Sequence, residues 1–235
     1  MDEEIRINKY LSKAGVCSRR EADRLLEEGR ITSLGRVLIP GDKISPKDRV
    51  EIDGKPVVPD DERILIAYNK PRGIVVTSAG YEGNIIKAIN YPKRIFPVGR
   101  LDKESTGLIL LTNEGELSNE ICRAANHHEK EYVVTADKPV TKGFVRQMSE
   151  GVRILDTVTR PCKVWQTGDK EFHIILTQGL NRQIRRMCEY LKYRVVSLHR
   201  IRIMNINLGD LPEGRYRDVS PDEKKELISL LKKPL

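Results

Sequence analysis

Apolar positions in the first thirty residues recur at helical spacing. Ile7, Tyr10, Leu11 and Ala14 share one face, and Gly15 ends the run. Ser18 followed by Glu21 has the spacing of a capping box for a second helix, with Ala22, Leu25 and Leu26 as its apolar side and Gly29 as its stop. The period then shortens to two. Strands are predicted over 30–32 and over 49–53, where Val50 and Ile52 alternate with charges ahead of the tight-turn pair Asp53–Gly54. The segment Val58–Pro59–Asp60–Asp61–Glu62 is polar and carries a proline, so it reads as a linker.

Strand-like runs follow over 63–68, 74–77, 108–112, 131–135, 172–176, 194–198 and 200–208. Helical patterns cover 116–125, 141–150, 181–191 and 221–231. The last of these has Ser220 as N-cap, Pro221 at the first helical position and Glu223 three residues after the cap. Strands and helices intermix without a regular βαβ rhythm. The expected class is therefore α+β: a small module over 1–58, a linker over 59–63 and a larger mixed-sheet domain over 64–235. No internal repeat or low-complexity tract interrupts this plan.

Charge adds a partner to the picture. The 235 residues carry a net charge of +8, with 39% hydrophobic residues, enough for a packed core. Such a balance suits an anionic partner such as nucleic acid. Residues 1–60 hold 12 Lys/Arg and 12 Asp/Glu, so the whole excess lies beyond them. The first module is still patterned, with Arg19, Arg20 and Arg24 on or near one helical face. Residues 177–202 hold seven Lys/Arg against Glu189 alone. There Ile184, Met187, Cys188 and Leu191 form one apolar stripe, and Arg182, Arg185 and Arg186 fall on the other side. Like charges so placed repel, and a phosphate backbone or a buried carboxylate would relieve them. Arg200 and Arg202 share one face of a predicted strand and extend this basic surface.

Cys17, Cys122, Cys162 and Cys188 are far apart, with no Cys-x-x-Cys pair, so neither a zinc site nor a disulfide framework is expected. No apolar run approaches 18 residues, and Met1–Asp2–Glu3–Glu4 lacks the chemistry of a secretory signal. A reduced, cytoplasmic setting without a membrane partner is expected.

One stretch concentrates candidate chemistry. Arg100–Leu101–Asp102–Lys103–Glu104–Ser105–Thr106–Gly107 sets a carboxylate in a turn ahead of the apolar run Leu108–Leu111. An aspartate in a turn commonly bonds nearby backbone; held at the rim of a rigid strand, it can also be a covalent nucleophile. Extended to Gly99–Leu108, with Leu111–Thr112–Asn113–Glu114–Gly115 behind it, the stretch resembles the central motif of the bacterial family of small- and large-subunit ribosomal RNA pseudouridine synthases. Asn69–Lys70–Pro71–Arg72–Gly73 is similar to the family's first motif and Lys130–Glu131–Tyr132 to its tyrosine motif. The stretch from Gln178 to Met187, through Gln183–Ile184–Arg185, is similar to its third. Residues 5–57 resemble an S4-type RNA-binding module. Together these cover nearly the whole chain. His128–Tyr132, Gly151–Leu155 and Arg202–Asn205 point to a branch that acts on large-subunit (23S) RNA.

The resemblance implies isomerisation of uridine to pseudouridine, in which the N1–C1′ bond breaks and C1′ rejoins C5, with no cofactor or metal required. It implies Asp102 as nucleophile, Arg185 as its ion partner and Tyr132 as the ring that stacks on the uracil. A uridine inside folded RNA must leave its stack, and Arg100 is the implied support for the opened strand. Lys70 and Lys130 are expected to support the pocket or bind phosphate. Arg182 and Arg186, with Arg19, Arg20 and Arg24, are expected to bind RNA. The implied partner is ribosomal RNA, at a hairpin or loop uridine, engaged by a monomer. His127 and His128 read as a solvated loop pair. The rival readings are a non-catalytic S4-type RNA-binding or ribosome-assembly factor and a hydrolase with an aspartate nucleophile. One departure from the family is Leu34–Gly35, where the module usually has Asn–Gly. Leucine enters the left-handed region less readily, so a different turn is expected there.

Overall fold

The computed structural model describes residues 4–60, 62–77, 82–123 and 127–232. Asp61 of the expected linker, Ala124 and Ala125 of the helix expected over 116–125, and the chain ends 1–3 and 233–235 lie outside the described residues. Contacts divide the chain into two units. One comprises Met1–Arg63 with Pro92–Arg94 and Asn113–Gly115; the other comprises Ile64–Tyr91, Ile95–Thr112 and Glu116–Leu235.

In the first unit the expected helix pair forms. After β1 (Ile5–Arg6) come α1 (Ile7–Lys13) and α2 (Arg19–Glu27), and the Ser18 side chain accepts from the Glu21 amide at the start of α2. The short strands β2 (Ile31–Ser33), β3 (Arg36–Val37), β4 (Lys43–Ile44), β5 (Val50–Ile52) and β6 (Lys55–Pro56) complete it. They pair in the order β3-β2-β5-β6, and β1 pairs with β4. Ile7, Leu11, Ala22, Leu26, Ile31 and Val50 bury together as the core, each larger side chain contributing about 1.5–3 kcal/mol.

The β2–β3 turn corrects one expectation. Leu34 and Gly35 both adopt positive φ, 51° and 78°, between paired Ser33 and Arg36. The left-handed turn that Asn–Gly would make is therefore kept, with leucine bearing its strain. The Leu34 side chain is 81% exposed, so no packing contact offsets that strain.

The second unit runs β7 (Leu65–Lys70), α3 (Ile85–Ile89), β8 (Phe96–Pro97), β9 (Thr106–Thr112), α4 (Gly115–Cys122), β10 (Lys130–Ala136), α5 (Lys142–Glu150), β11 (Arg153–Ile154), β12 (Thr157–Val158), β13 (Lys163–Gln166), β14 (Glu171–Leu176), α6 (Gln183–Tyr190), β15 (Val195–Ile203), β16 (Ile206–Asn207), β17 (Tyr216–Asp218) and α7 (Pro221–Lys232). Its sheet has the order β13-β14-β10-β15-β9-β7-β17, with β16 on β15 and β8 on β9. Among the described residues β15–β9 is its parallel pairing and the others are antiparallel, so the sheet is mixed and the α+β class holds.

Both faces of the central strands are covered. Ile66, Tyr68, Ile109 and Leu111 enter one apolar cluster, and Leu65, Ala67, Leu108 and Leu110 enter the other. This two-sided burial explains the unbroken apolar run 108–111. Ser220 and Glu223 form the full reciprocal box at the start of α7.

Two strand expectations change. Residues 74–77 form no strand; Val75 makes an isolated bridge to Asn84, whose side chain caps α3. The expected strands 194–198 and 200–208 are one strand, β15, followed by a turn and β16. His199, which lies between the two expected runs, is satisfied inside the strand by a 2.8 Å hydrogen bond between its Nδ1 and Thr106 Oγ1.

Leu34→Asn should stabilise the first unit by about 1 kcal/mol, because asparagine enters the left-handed region at lower cost. Thermal unfolding of the two full-length proteins checks this. An unchanged or lowered midpoint for the first unit's transition would show that the turn carries no such strain.

Candidate active site

Asp102 lies between β8 and β9, on a loop fixed from several directions. Its own carbonyl accepts from the Ser105 amide at 3.0 Å. The Lys103 carbonyl accepts from the Gly73 amide at 2.8 Å and from Lys70 Nζ at 3.4 Å. Arg200 holds both ends of the loop, its Nε donating to the Leu108 carbonyl at 2.6 Å and its Nη1 to the Arg100 carbonyl at 3.3 Å. The Asp102 carboxylate, 28% exposed, opens into a cavity of about 440 Å³.

The sheet supplies the rest of the wall. Arg200 stands opposite Gly107 of β9 on one side and opposite Tyr132 of β10 on the other. Its guanidinium carbon is 5.9 Å from the centre of the Tyr132 ring. Gly107 makes this packing feasible: its φ is 99°, and a Cβ there would lie 2.3 Å from the Arg200 carbonyl oxygen.

Helix α6 closes the other side. Arg185 Nε and Arg182 Nη1 each lie 4.0 Å from one Asp102 carboxylate oxygen. Arg185 also donates to Ser105 Oγ at 3.3 Å and to the Val195 carbonyl at 3.4 Å, while its Nε has no hydrogen-bond partner among the described residues. Burial, followed by the charge of Arg182, pulls the Arg185 pKa below its ordinary value. The group stays a cation all the same, since guanidinium is not deprotonated in proteins.

Of the residues selected from sequence, Asp102, Tyr132, Arg185, Arg182, Arg100 and Lys130 line this one cavity. Three others behave differently. Lys70 is fully buried and donates to the carbonyls of Pro71 (2.8 Å), Ile74 (3.1 Å) and Lys103, so it is a strut beneath the Asp102 loop and not a phosphate contact. Arg186 stays off the cavity and bonds the backbone and side-chain oxygens of Asn181. Arg24 is engaged by Glu21 of its own helix and by Glu28 at the helix end, which gives it the solvated-face role; Arg19 and Arg20 are exposed.

The basic run 177–202 also needs correction. Arg185 faces inward with the apolar stripe, and Arg200 is 2% exposed, so neither belongs to a wet surface. Arg202 pairs with Glu129 and Glu131. Sequence reasoning missed Arg200 and Gln178 as cavity residues. Gln178 lay unused inside the third motif, and nothing local distinguishes a buried strand arginine from an exposed one.

A family model described as RNA pseudouridylate synthase matches residues 64–190, and an S4 domain model matches residues 5–50. The chain belongs to the RNA pseudouridylate synthase family. It is 51% identical over 233 residues to the dual-specificity RNA pseudouridine synthase RluF of Escherichia coli (strain K12), covering 98% of this chain and 80% of that protein. It is 33% identical to the ribosomal large subunit pseudouridine synthase B of Bacillus subtilis (strain 168), covering 96% of each. A crystal structure of a pseudouridylate synthase superposes with a TM-score of 0.70 at 28% identity, covering 96% of this chain and 99% of that one. The chain is thus an RNA pseudouridine synthase with an S4 RNA-binding domain, and the non-catalytic and hydrolase readings fall away. None of its described helices is long and apolar enough to cross a membrane.

Lys70 gives this synthase a pH signature. Burial, with the charge of Arg200 next in weight, lowers its pKa from 10.5 to about 8. Between those values the unfolded chain holds a proton that the folded chain lacks, so this group makes stability rise with pH from about 8 to 10.5. Lys70→Met should remove that rise. Urea unfolding of both proteins across the window checks it, and parallel pH profiles would contradict the buried-strut assignment.

Proposed function

We propose that this synthase isomerises specific uridines of large-subunit ribosomal RNA, with Asp102 as nucleophile. The observation that carries the reading is the Asp102 carboxylate set 4.0 Å from two guanidinium groups on the cavity wall. The two guanidinium groups balance the charge that a carboxylate nucleophile carries. Neither contact is within hydrogen-bond range, so the carboxylate lone pairs stay available to a substrate.

A target uridine in a hairpin or loop leaves its stack and enters the cavity. There the Tyr132 ring stacks on the uracil, and Arg100, exposed at the rim, supports the strand the base has left. Arg185 holds the Asp102 side chain in place and balances its charge. Arg182 serves both the carboxylate and the incoming RNA backbone. Lys130 lines the same cavity; burial and the neighbouring Arg200 depress its pKa, and its Nζ donates to the His128 carbonyl at 3.3 Å, so it shapes the pocket.

The isomerisation changes no oxidation state, so it calls on no cofactor. We assign RNA capture to a module over 1–58, a linker to 59–63 and catalysis to 64–235, in a monomer acting in the cytoplasm. Arg19 and Arg20 are its phosphate contacts in the first module.

Incubation of the purified protein with ribosomal RNA, followed by chemical mapping of pseudouridine, tests the activity. Asp102→Asn should abolish product while leaving RNA affinity within about twofold, since the amide keeps the shape and loses the nucleophile. Product formed by that variant at the wild-type rate would remove Asp102 from the role.

Affinity should also fall with salt by roughly 0.7 log units per log unit of salt for each single-strand phosphate neutralised. Changing Arg19 and Arg20 together to Gln should shallow the slope by about one to two units. Arg24→Gln should leave it unchanged, because Glu21 and Glu28 already engage that side chain. A salt series on the three proteins distinguishes these outcomes, and equal slopes in all three would make the whole helix face a solvated one.

A further inference from the structure

Two buried donors in the catalytic cavity are left over once Asp102, Arg185 and Tyr132 have been given their tasks. Arg200, 2% exposed, uses Nε on Leu108 and Nη1 on Arg100, and its Nη2 is buried with no hydrogen-bond partner among the described residues. Gln178 lines the same cavity, and its Nε2 is likewise buried without a partner. Buried donors are almost always satisfied in a folded protein. Two of them on one cavity wall mark where a ligand brings acceptors.

We propose that Arg200 and Gln178 are the donors that hold the two carbonyl oxygens of the flipped-out uracil and so set the choice of base. The inference rests on the uridine-isomerising reading above. Uracil presents O2 and O4 as acceptors on either side of N3–H. Cytosine replaces O4 with an amino group. Arginine has five N–H donors and no acceptor, so an amino group turned toward Arg200 would leave two donors facing each other in a buried site. A pocket built to bond a polar group rejects the analogue that lacks it strongly, because its own buried groups stay unpaired. The glutamine amide adds an acceptor beside its donor, which suits a carbonyl next to N3–H.

The placement of Arg200 supports this use. It stands opposite Tyr132 across β10–β15, with its guanidinium 5.9 Å from the centre of the ring that stacks on the base. Its two other bonds fix it to both ends of the Asp102 loop. A base held by Nη2 is thereby held in register with the carboxylate.

The test uses the shortest ribosomal stem-loop that the wild-type enzyme converts, made with uridine, 2-thiouridine or 4-thiouridine at the target position. Sulfur keeps the shape of the base but accepts hydrogen bonds weakly. Binding is measured with full-length protein carrying Asp102→Asn, which stops turnover. With Arg200 and Gln178 intact, each thio substitution should weaken binding about tenfold. Adding Arg200→Met should erase that penalty at one position, and adding Gln178→Leu should erase it at the other. A purely structural role would weaken all three RNAs by one common factor, and that result overturns the proposal. Circular dichroism reports whether Arg200→Met still folds. If it does not, Gln178→Leu decides alone, since its Nε2 has no bond to lose. Failure of the wild-type protein to convert any ribosomal uridine would remove the uridine-isomerising reading and this inference with it; conversion without coupling to the thio positions removes this inference only.

Discussion

A Cβ on Gly107 would lie 2.3 Å from the Arg200 carbonyl oxygen and 2.7 Å from its nitrogen, closer than any side chain tolerates. The bare backbone at this point lets β15 run parallel to β9 and bring Arg200 against the start of that strand. One wall of the cavity then follows from sheet geometry. Tyr132 is opposite Arg200 on the neighbouring strand, and the Asp102 loop ends where β9 begins. The guanidinium reaches back to both ends of the loop. Catalytic groups set by strand register and short backbone bonds are held more firmly than groups on a free loop.

That arrangement draws several cations out of water near the Asp102 carboxylate. Arg200, Lys70 and Arg185 are all buried. Burying charge is costly unless each group is bonded. Lys70 is paid for by three carbonyls, and its lowered pKa records what remains of the penalty. Arg185 and Arg200 each retain a buried nitrogen without a hydrogen-bond partner among the described residues. Each such atom costs about 1–3 kcal/mol until an acceptor arrives.

Arg185 and Arg200 also explain why a basic sequence run is a poor guide to a basic surface. Of the arginines in 177–202, these two turn inward and Arg202 is neutralised by two glutamates. In the first unit Arg24 is matched in the same way by its own helix. The exposed, unpaired positive charge is therefore smaller and more local than the charge count suggests. Arg19 and Arg20 in one unit and Arg100 and Arg182 in the other keep their side chains accessible.

The sequence alone determined what depends on neighbours in the chain. The capped helices at Ser18 and Ser220, the apolar strand 108–111 and the α+β class were all legible, because periodicity and caps are local properties. So was a set of candidates that meet at one cavity, since Asp102, Tyr132 and Arg185 stand in motifs whose spacing survives without a structure. Tertiary structure decided which charges are buried and what they touch. Lys70 became a strut, Arg200 a clamp and Arg24 a surface pair, although nothing within a few residues of any of them differs in kind from other basic segments. The division at His199 disappeared because its partner, Thr106, comes from a strand that lies 93 residues earlier and pairs with it only in the folded sheet. Leu34 kept a left-handed turn against its own preference because the pairing of Ser33 with Arg36 imposes it. Burial and cross-strand register are properties of the assembled sheet, and no local pattern encodes them.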